Sequence, residues 1–267
     1  MKIGCQTYSW EMHGEDWTGT PDDILDAVAA AGYDGVEFAA SMIGAYADRP
    51  DAFRQALADR GLEFAAYAFA SDHGFTDPAH VASELSDARE AVAFAAEFPR
   101  PLLALGGVAS PTRDDYHVKI ERAVEFYNQV AQWGAEMGVT VCVHPHSHHG
   151  SLLESADEYD ALLAATEGSG LMFNPDTGHI IRGGQDMMDC ITRHMGRIRH
   201  VHVKDVRADG SWAPLGQGLC DYAAMFAALG GAGYDAWVVG EEESELAWAD
   251  PADAIRVNRE YLRGLGL

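Results

Sequence analysis

The sequence predicts a single (β/α)8 TIM barrel, an α/β fold, over residues 1–267. Eight short apolar runs alternate along the chain with amphipathic segments, as expected for buried parallel strands that are joined by helices. The length of 267 residues is close to the roughly 250 residues of one such barrel. No Pro-rich or Ser-rich linker divides the series. A doubly wound sheet is the second interpretation.

The eight predicted strands share one composition. Each is rich in Val, Ile, Leu, Phe or Ala, and polar residues follow it. Apolar runs of about four to eight residues are typical of strands that are covered on both faces. In chain order the runs are KIGCQTY, DGVEFAA, LEFAAYAF, PLLALGG, GVTVCVHPH, GLMFNPDTGH, IRHVHVKD and DAWVVGEEE.

The segments between these runs carry the signals of helix ends. Thr20 precedes a proline and two aspartates, which predicts an N-cap followed by acidic residues at the positive end of a helix. Ser155 and Glu158 have the spacing of a capping box. Glycines end three of the segments just before the next strand, at Gly32, Gly138 and Gly233. We therefore expect a helix before each of the strands that follow these glycines.

Polar side chains are concentrated at the carboxyl ends of the last four predicted strands, where the active sites of such barrels lie. They are His144 and His146 after strand five, Asp176 and His179 after strand six, His202, Lys204 and Asp205 at strand seven, and Glu241, Glu242 and Glu243 after strand eight. Because side chains alternate along a strand, His202 and Lys204 share one face. We expect these groups to converge on a single site.

Carboxylates and imidazoles that converge from four neighbouring strands predict a bound cation, because buried carboxylates repel one another unless a positive charge neutralises them. Two carboxylates and two imidazoles suit Mn²⁺ best, and then Co²⁺, Zn²⁺ or Mg²⁺. The predicted cofactor is therefore one divalent metal ion. Glu241 and Glu243 share one face at the end of strand eight, so Glu243 takes the place of Glu241 if the strand ends two residues later.

Several motifs resemble the sugar isomerase/epimerase superfamily of xylose isomerase-like barrels. They are NPDTGH, RIRHVHVKD and YDAWVVGEEE, and the resemblance extends over essentially the whole chain. DTGH followed by Gly183 and Gly184, RIRHVHVKDVR, and the histidine-rich end of strand five before Gly150 are most similar to the inosose (2-keto-myo-inositol) dehydratase-like branch.

The resemblance implies that Asp176, His202 and Glu241 bind the metal and that His179 contacts substrate. Many isomerases of the superfamily have a glutamate at the end of strand five, where this chain has His144. We expect His144 to complete the metal-ligand set. A histidine at this position favours the dehydratase-like branch.

We therefore predict an enzyme that removes a proton α to the carbonyl of a keto-sugar or keto-cyclitol, with β-elimination as the outcome. His146 is the candidate base, and Glu241 or Lys204 are the alternatives. An isomerase or epimerase that moves the proton through an enediolate is the second hypothesis. A third is a sugar-binding subunit that is non-catalytic or depends on a partner.

Other polar residues near the strand ends are candidates for substrate contact or for structural roles. The candidates for substrate contact are His179, Glu37, Gln6, Glu154 and Arg207, with Trp10 and Trp212 as candidate walls. Glu154 fits a role at the start of a helix equally well. Lys204 and Asp205 could form a structural ion pair. We expect His200 to hydrogen-bond a neighbour inside the barrel, and His148 and His149 to face solvent.

The charge and cysteine content of the chain exclude some classes of binding partner. The chain has 18 basic and 42 acidic residues, a formal charge of −24, which argues against nucleic acid and against a DNA repair endonuclease on the same barrel. Four well-separated cysteines and a polar N-terminal segment predict a cytoplasmic protein with reduced thiols, no secretory signal and no membrane partner. A homo-oligomer or a hetero-oligomer with a second subunit stays open.

Overall fold

A computed structural model describes residues 1–71, 73–148 and 150–267. Its framework is an eight-stranded parallel sheet: β1 (Lys2–Gln6), β2 (Gly35–Ala39), β3 (Glu63–Phe69), β4 (Leu102–Gly106), β5 (Thr140–His144), β6 (Met172–Phe173), β7 (His200–Val203) and β8 (Trp237–Gly240). The strand order is β6-β5-β4-β3-β2-β1-β8-β7. Isolated parallel bridges from Phe173 to Ile198 and from Asp176 to His202 join the two outer strands. The sheet therefore closes, which confirms the predicted (β/α)8 barrel.

Helices connect consecutive strands around the sheet. They are α1 (Tyr8–Glu11), α2 (Pro21–Ala31), α3 (Pro50–Asp59), α4 (Val81–Ala95), α5 (Tyr116–Met137), α6 (Ala156–Ala165), α7 (Thr177–Arg182), α8 (Met187–His194), α9 (Tyr222–Gly231), α10 (Glu245–Ala249) and α11 (Pro251–Gly264). The predicted capping boxes are present, since the Thr20 and Ser155 side chains accept from the backbone N–H groups of Asp23 and Glu158. Gly32 ends α2 at φ 79°. These local signals were predicted correctly.

The main hydrophobic core lies between the strands and the surrounding helices. A smaller cluster that includes Ala66, Ala104 and Cys142 fills part of the barrel interior. Register identifies this face, because Ala66 pairs with Glu37 and Ala104 pairs with Cys142, two residues before His144 on the same side of β5. Small side chains at this level leave room for the larger polar groups that lie nearer the carboxyl ends of the strands.

The loop that follows β7 folds back over the carboxyl end of the barrel. Its two short strands, Asp205–Val206 and Trp212–Ala213, pair antiparallel. The Asp205 carboxylate holds the next turn by accepting from the backbone N–H groups of Gly216, Gly218 and Cys220 at 2.9, 3.0 and 3.1 Å. This arrangement brings Trp212 to the rim of the barrel. Within the described ranges, none of the helices has both the length and the apolar character that crossing a bilayer requires.

Candidate metal and substrate site

Four buried side chains from four neighbouring strand ends converge at the centre of the barrel rim. His144, Asp176, His202 and Glu241 each contribute a donor atom, and these atoms all lie within 4.8 Å of one another. His202 Nδ1 is 2.7 Å from Glu241 Oε2 and 3.2 Å from His144 Nε2. His144 Nε2 is 3.6 Å from Asp176 Oδ2. The structure thus brings together all four residues that were expected to bind the metal.

The donor set fits a divalent cation. Asp176 Oδ1 accepts from the backbone N–H of His179 at 2.8 Å, but the buried Oδ2 atom has no hydrogen-bond partner in the described part of the chain. A buried carboxylate oxygen without a partner costs about 1–3 kcal/mol, and more when the carboxylate is charged. An ion at the centre of the set would satisfy this oxygen, and two imidazoles with two carboxylates are ligands that first-row divalent metals accept.

Electrostatics at the donor set also favour added positive charge. Burial raises the pKa of Asp176, and Glu241 adds to the rise against the opposing effect of Lys204. Burial alone would lower the pKa of His202, but the Glu37 and Glu241 carboxylates outweigh it and raise that pKa to about 10. His144 differs, because burial holds its pKa well below the usual value. It is therefore a neutral imidazole with a lone pair available for a metal.

Glu37 was a candidate for substrate contact, but it lies behind the donor set. Its side chain is fully buried, and Oε2 is 3.0 Å from His202 Nε2 and 2.6 Å from His200 Nε2. Burial raises the pKa of Glu37, but the two histidines outweigh it and hold the pKa below the usual value. A carboxylate on Nε2 leaves Nδ1 of His202 directed at the donor set, as in other carboxylate–histidine–metal arrangements. His200 is hydrogen-bonded inside the barrel, as expected.

His146, the candidate base, contacts a member of the donor set. Its Nε2 is 3.1 Å from His144 Nδ1. If His144 offers Nε2 to a metal, its Nδ1 carries the proton and donates it to His146 Nε2. That hydrogen bond occupies the lone pair that a base needs. The geometry therefore favours an orienting role for His146 over the predicted role as base.

Lys204 forms ion pairs with two glutamates, and the alternative of a structural pair with Asp205 is wrong. Lys204 Nζ is 2.6 Å from Glu241 Oε1 and also contacts Glu243 Oε1. Burial lowers the pKa of Lys204, but both carboxylates outweigh it and raise the pKa above its usual value. Lys204 is thus an ammonium. The Asp205 carboxylate instead binds backbone N–H groups of its own loop.

Glu243 is a site residue that sequence analysis placed only as a substitute for Glu241. Burial raises the pKa of Glu243 to about 7, although Lys204 opposes the rise. Its carboxylate lies within 4.8 Å of the ligand atoms of His148 and His179. The two-residue spacing from Glu241 on the same face was the one signal for its position.

His179 presents a second hydrogen-bond donor beside Lys204. The Ser147 backbone N–H lies 2.9 Å from His179 Nδ1, and because a backbone N–H can only donate, Nδ1 must accept. Burial holds the pKa of His179 well below the usual value, so the neutral ring carries its proton on Nε2. That atom is 3.1 Å from Lys204 Nζ. Two donors thus lie side by side, and an oxygen atom of a ligand adjacent to both nitrogens could accept from both.

Trp212 covers these two donors from the rim. Its ring centroid is 4.9 Å from that of His179 and 4.8 Å from Lys204 Nζ. Gly178 permits this approach, because a Cβ atom there would lie 2.9 Å from Lys204 Cγ and 3.0 Å from the Trp212 ring. The aromatic face therefore forms one wall of the space beside the donor set. Trp10, the other candidate wall, is buried.

Three of the predicted substrate residues have local partners instead. The Gln6 side chain accepts from the backbone N–H of Tyr8. Glu154 donates its backbone N–H to Glu158 at the start of α6, and its carboxylate lies 3.9 Å from Arg113. Arg207 is exposed and donates to the Trp212 carbonyl. Within the described residues, none of these three side chains contacts the four donor residues.

The predictions for the two loop histidines, His148 and His149, have different outcomes. His148 is half-buried, with its ring centroid 4.7 Å from that of His179, so it turns toward the site rather than toward solvent. Burial is the main reason why the pKa of His148 falls to about 4. His149 lies outside the described residues.

Several proteins of known sequence or structure are similar to this chain. An inosose dehydratase from Geobacillus thermodenitrificans is 26% identical over an alignment of 302 positions that covers 98% of this chain and 96% of that protein. The IolI protein, whose crystal structure contains a zinc atom, superposes with a TM-score of 0.83 at 13% identity and covers 99% of this chain and 98% of its own.

A D-psicose 3-epimerase from Clostridium cellulolyticum, solved with D-tagatose, has a TM-score of 0.80 at 17% identity and covers 99% of this chain and 98% of its own. At such identities the two structures establish a shared fold. Residues 25–265 match the sequence profile described as xylose isomerase-like TIM barrel, which confirms the resemblance that the motifs indicated. The chain therefore belongs to the xylose isomerase-like TIM barrel family.

Proposed function

We propose that this protein is a divalent-metal-dependent dehydratase that removes a proton α to the carbonyl of a keto-cyclitol or keto-sugar and eliminates the β-hydroxyl as water. One observation carries the proposal: four buried donors, one of them the unpartnered Asp176 Oδ2, lie beside the paired hydrogen-bond donors of Lys204 and His179. Relatives named inosose dehydratase, with 26–29% identity to the chain, support this substrate class.

His144, Asp176, His202 and Glu241 would hold the metal. Bound there, a divalent ion supplies Lewis acidity that polarises the substrate carbonyl and its neighbouring hydroxyl and makes the α-proton more acidic. We expect Mn²⁺, because this mixed set of carboxylates and imidazoles suits it. Glu37 and His146 would fix the orientation of the two ligating imidazoles through their hydrogen bonds to His202 and His144.

Lys204 and the Nε2–H of His179 would bind the oxygen on which negative charge develops as the α-proton leaves. Both groups are buried, so their hydrogen bonds act in a medium that screens charge less than water does. Trp212 would lie along the apolar face of the substrate ring and exclude water from that side. These residues orient the substrate without taking its proton.

We propose Glu243 as the base in place of His146. A carboxyl with a pKa near 7 is partly ionised at neutral pH and can both take and return a proton. Glu243 takes the α-proton, the electron pair of that C–H bond forms the carbon–carbon double bond, and the β-hydroxyl leaves with the proton that Glu243 returns. The products are the unsaturated ketone and water, so atoms and charge balance.

Product analysis tests the reaction. Protein reconstituted with Mn²⁺ is incubated with 2-keto-myo-inositol and, separately, with ketohexoses in deuterated water, and products are identified by NMR. We expect an unsaturated ketone from the keto-cyclitol. Formation of an epimer with no elimination product would overturn the dehydratase assignment and support the isomerase or epimerase hypothesis.

Three variants test the assignment of the base. Glu243→Gln should lower kcat by about 10²- to 10⁴-fold, the usual effect of losing a general base, and should leave bound metal unchanged. Glu245→Gln is the matched control, since Glu245 is exposed on the next helix, and it should retain activity. His146→Gln should mainly weaken metal binding. A larger loss of kcat in His146→Gln, at saturating metal, would return the role of base to His146.

A further inference from the structure

A second group of metal-ligating side chains lies apart from the central donor set, on the loop between β3 and α4. His73, Asp77 and His80 offer ligand atoms that all lie within 4.8 Å of one another. His80 Nδ1 is 3.0 Å from Asp77 Oδ2. The His73 and His80 rings stack with centroids 3.6 Å apart and planes 11° from parallel. Two imidazoles and one carboxylate from one short loop therefore lie close together.

The backbone between these residues is held firmly. Phe75 lies between His73 and Asp77 in the chain, is fully buried, and stacks on Phe126 with centroids 4.2 Å apart. It keeps a positive φ of 63°, a conformation that non-glycine residues rarely adopt without compensation from their surroundings. The buried ring anchors the loop at its middle, so the flanking ligand residues start from fixed backbone positions.

Contacts with the neighbouring loop and helix add to this anchoring. The Thr76 hydroxyl donates to the Ala109 carbonyl at 2.8 Å. Glu84, a buried residue of α4, accepts from the Phe75 backbone N–H at 3.0 Å. At Gly74 a Cβ atom would lie 2.4 Å from the Ala109 carbonyl oxygen, which leaves no space for a side chain. The loop therefore loses little additional backbone entropy when it binds a ligand.

We propose that His73, Asp77 and His80 form a second, peripheral binding site for a divalent transition-metal ion, with Zn²⁺ as the best match. Two imidazoles and one carboxylate suit Zn²⁺, Ni²⁺ and Co²⁺, whereas Mg²⁺ prefers oxygen ligands and water. Water completes the coordination. The side chains of His80 and Asp77 are 42% and 45% exposed and His73 is exposed, so the two rings can turn out of their parallel stack and direct nitrogen lone pairs at one ion.

The charge of the whole chain favours this binding. A formal charge of −24 attracts cations to the surface, particularly at low ionic strength. The His80–Asp77 contact already joins an imidazole to a carboxylate; when the ion takes the place of the proton between them, the neutral His80 ring carries its proton on Nε2. This peripheral site does not depend on the proposed function, because none of its three residues belongs to the central donor set.

Zinc-binding stoichiometry of the full chain tests the proposal. Apo protein is dialysed against buffered Zn²⁺, and bound zinc is measured for the wild type and for the variants H73Q/H80Q, D176N and H117Q. We expect the double variant to lose one equivalent of zinc relative to the wild type, because it lacks two of the three ligands of the peripheral site. H117Q is the matched control, since His117 is an exposed histidine outside both clusters, and it should bind as the wild type does.

D176N separates this site from the central one. It should lose the central ion and retain the peripheral one. Zinc binding at the peripheral site can therefore be measured even if the central site binds no metal. Far-UV circular dichroism and the Tm of each metal-free variant verify folding. Equal zinc stoichiometry and affinity in H73Q/H80Q and the wild type, with both proteins folded, would overturn the peripheral site.

Discussion

Glu37→Gln provides the sharpest test of how the barrel prepares its central site. The substitution keeps the size of the side chain and removes its charge. Glu37 Oε2 lies 2.6 Å from His200 Nε2 and 3.0 Å from His202 Nε2, and the side chain is fully buried. A glutamine amide offers one oxygen and one NH₂ group. If its oxygen takes the place of Oε2, its NH₂ group occupies the position of Oε1, which has no partner among the described residues.

The magnitude follows from this geometry. The carboxylate holds the proton on Nε2 of His202 and raises the basicity of Nδ1, and loss of such a partner typically weakens metal binding by about 10- to 100-fold. At 1.36 kcal/mol for each factor of ten, this equals about 1.4–2.7 kcal/mol of binding free energy. We expect the Kd for Mn²⁺ to rise by that factor, while kcat at saturating metal falls much less.

Competition with a chromophoric chelator measures the Kd. Glu63→Gln is the matched control, because Glu63 lies at the start of β3, at the opposite end of the barrel, and its carboxylate pairs with Lys2 and Arg100 at the surface. Wild-type metal affinity in Glu37→Gln, or an equal loss in Glu63→Gln, would refute the reasoning that Glu37 acts through His202.

Five further substitutions probe the site and the fold. Asp176→Ala and His202→Ala should each abolish bound metal in purified protein, as measured by elemental analysis. Lys204→Met should retain metal and lower kcat/KM by about 10²-fold, because one buried donor to the developing oxyanion is lost. Gly178→Ala should lower the free energy of unfolding by about 1–3 kcal/mol in urea titrations, since the new methyl group overlaps with its neighbours. Thr20→Ala should lower it by about 1 kcal/mol through loss of the N-cap and leave kcat unchanged.

Each of these expectations can fail separately. Bound metal in either Asp176→Ala or His202→Ala would remove that residue from the ligand set. Loss of metal in Lys204→Met would mean that the ammonium maintains the site rather than contacting substrate. Unchanged unfolding free energy in Gly178→Ala would show that Lys204 and Trp212 shift easily.

Local features of the chain were predictable because they depend on neighbouring residues. The Thr20 and Ser155 caps require a side chain and a backbone N–H only three positions apart. The alternation of side chains along β7 placed His202 toward the barrel interior, and the same argument applied to His144 on β5. Parallel strands end at one rim, so inward side chains at four strand ends had to lie close to one another.

Contacts between distant segments were not predictable in the same way. Glu37 and His200 are 163 positions apart, and no pattern in either segment indicates that they meet across the barrel. Lys204 was open to pairing with Asp205 beside it, yet it reaches Glu241 and Glu243, which directly follow the neighbouring strand β8. The difference arises because successive side chains on a strand point to opposite faces, which separates adjacent residues and joins those on neighbouring strands.

The amino-acid sequence by itself determined the order of strands and helices, the family motifs and the set of residues that could bind a metal, because periodicity and capping act over a few positions. Only the tertiary structure decided which atom of each side chain faces the site. Closure of the barrel turns Nε2 of His202 to Glu37 and its Nδ1 to Glu241. It also engages His146 with His144 and leaves the Glu243 side chain 9% exposed beside Lys204, since burial and hydrogen-bond partners exist only once the strands have been brought together.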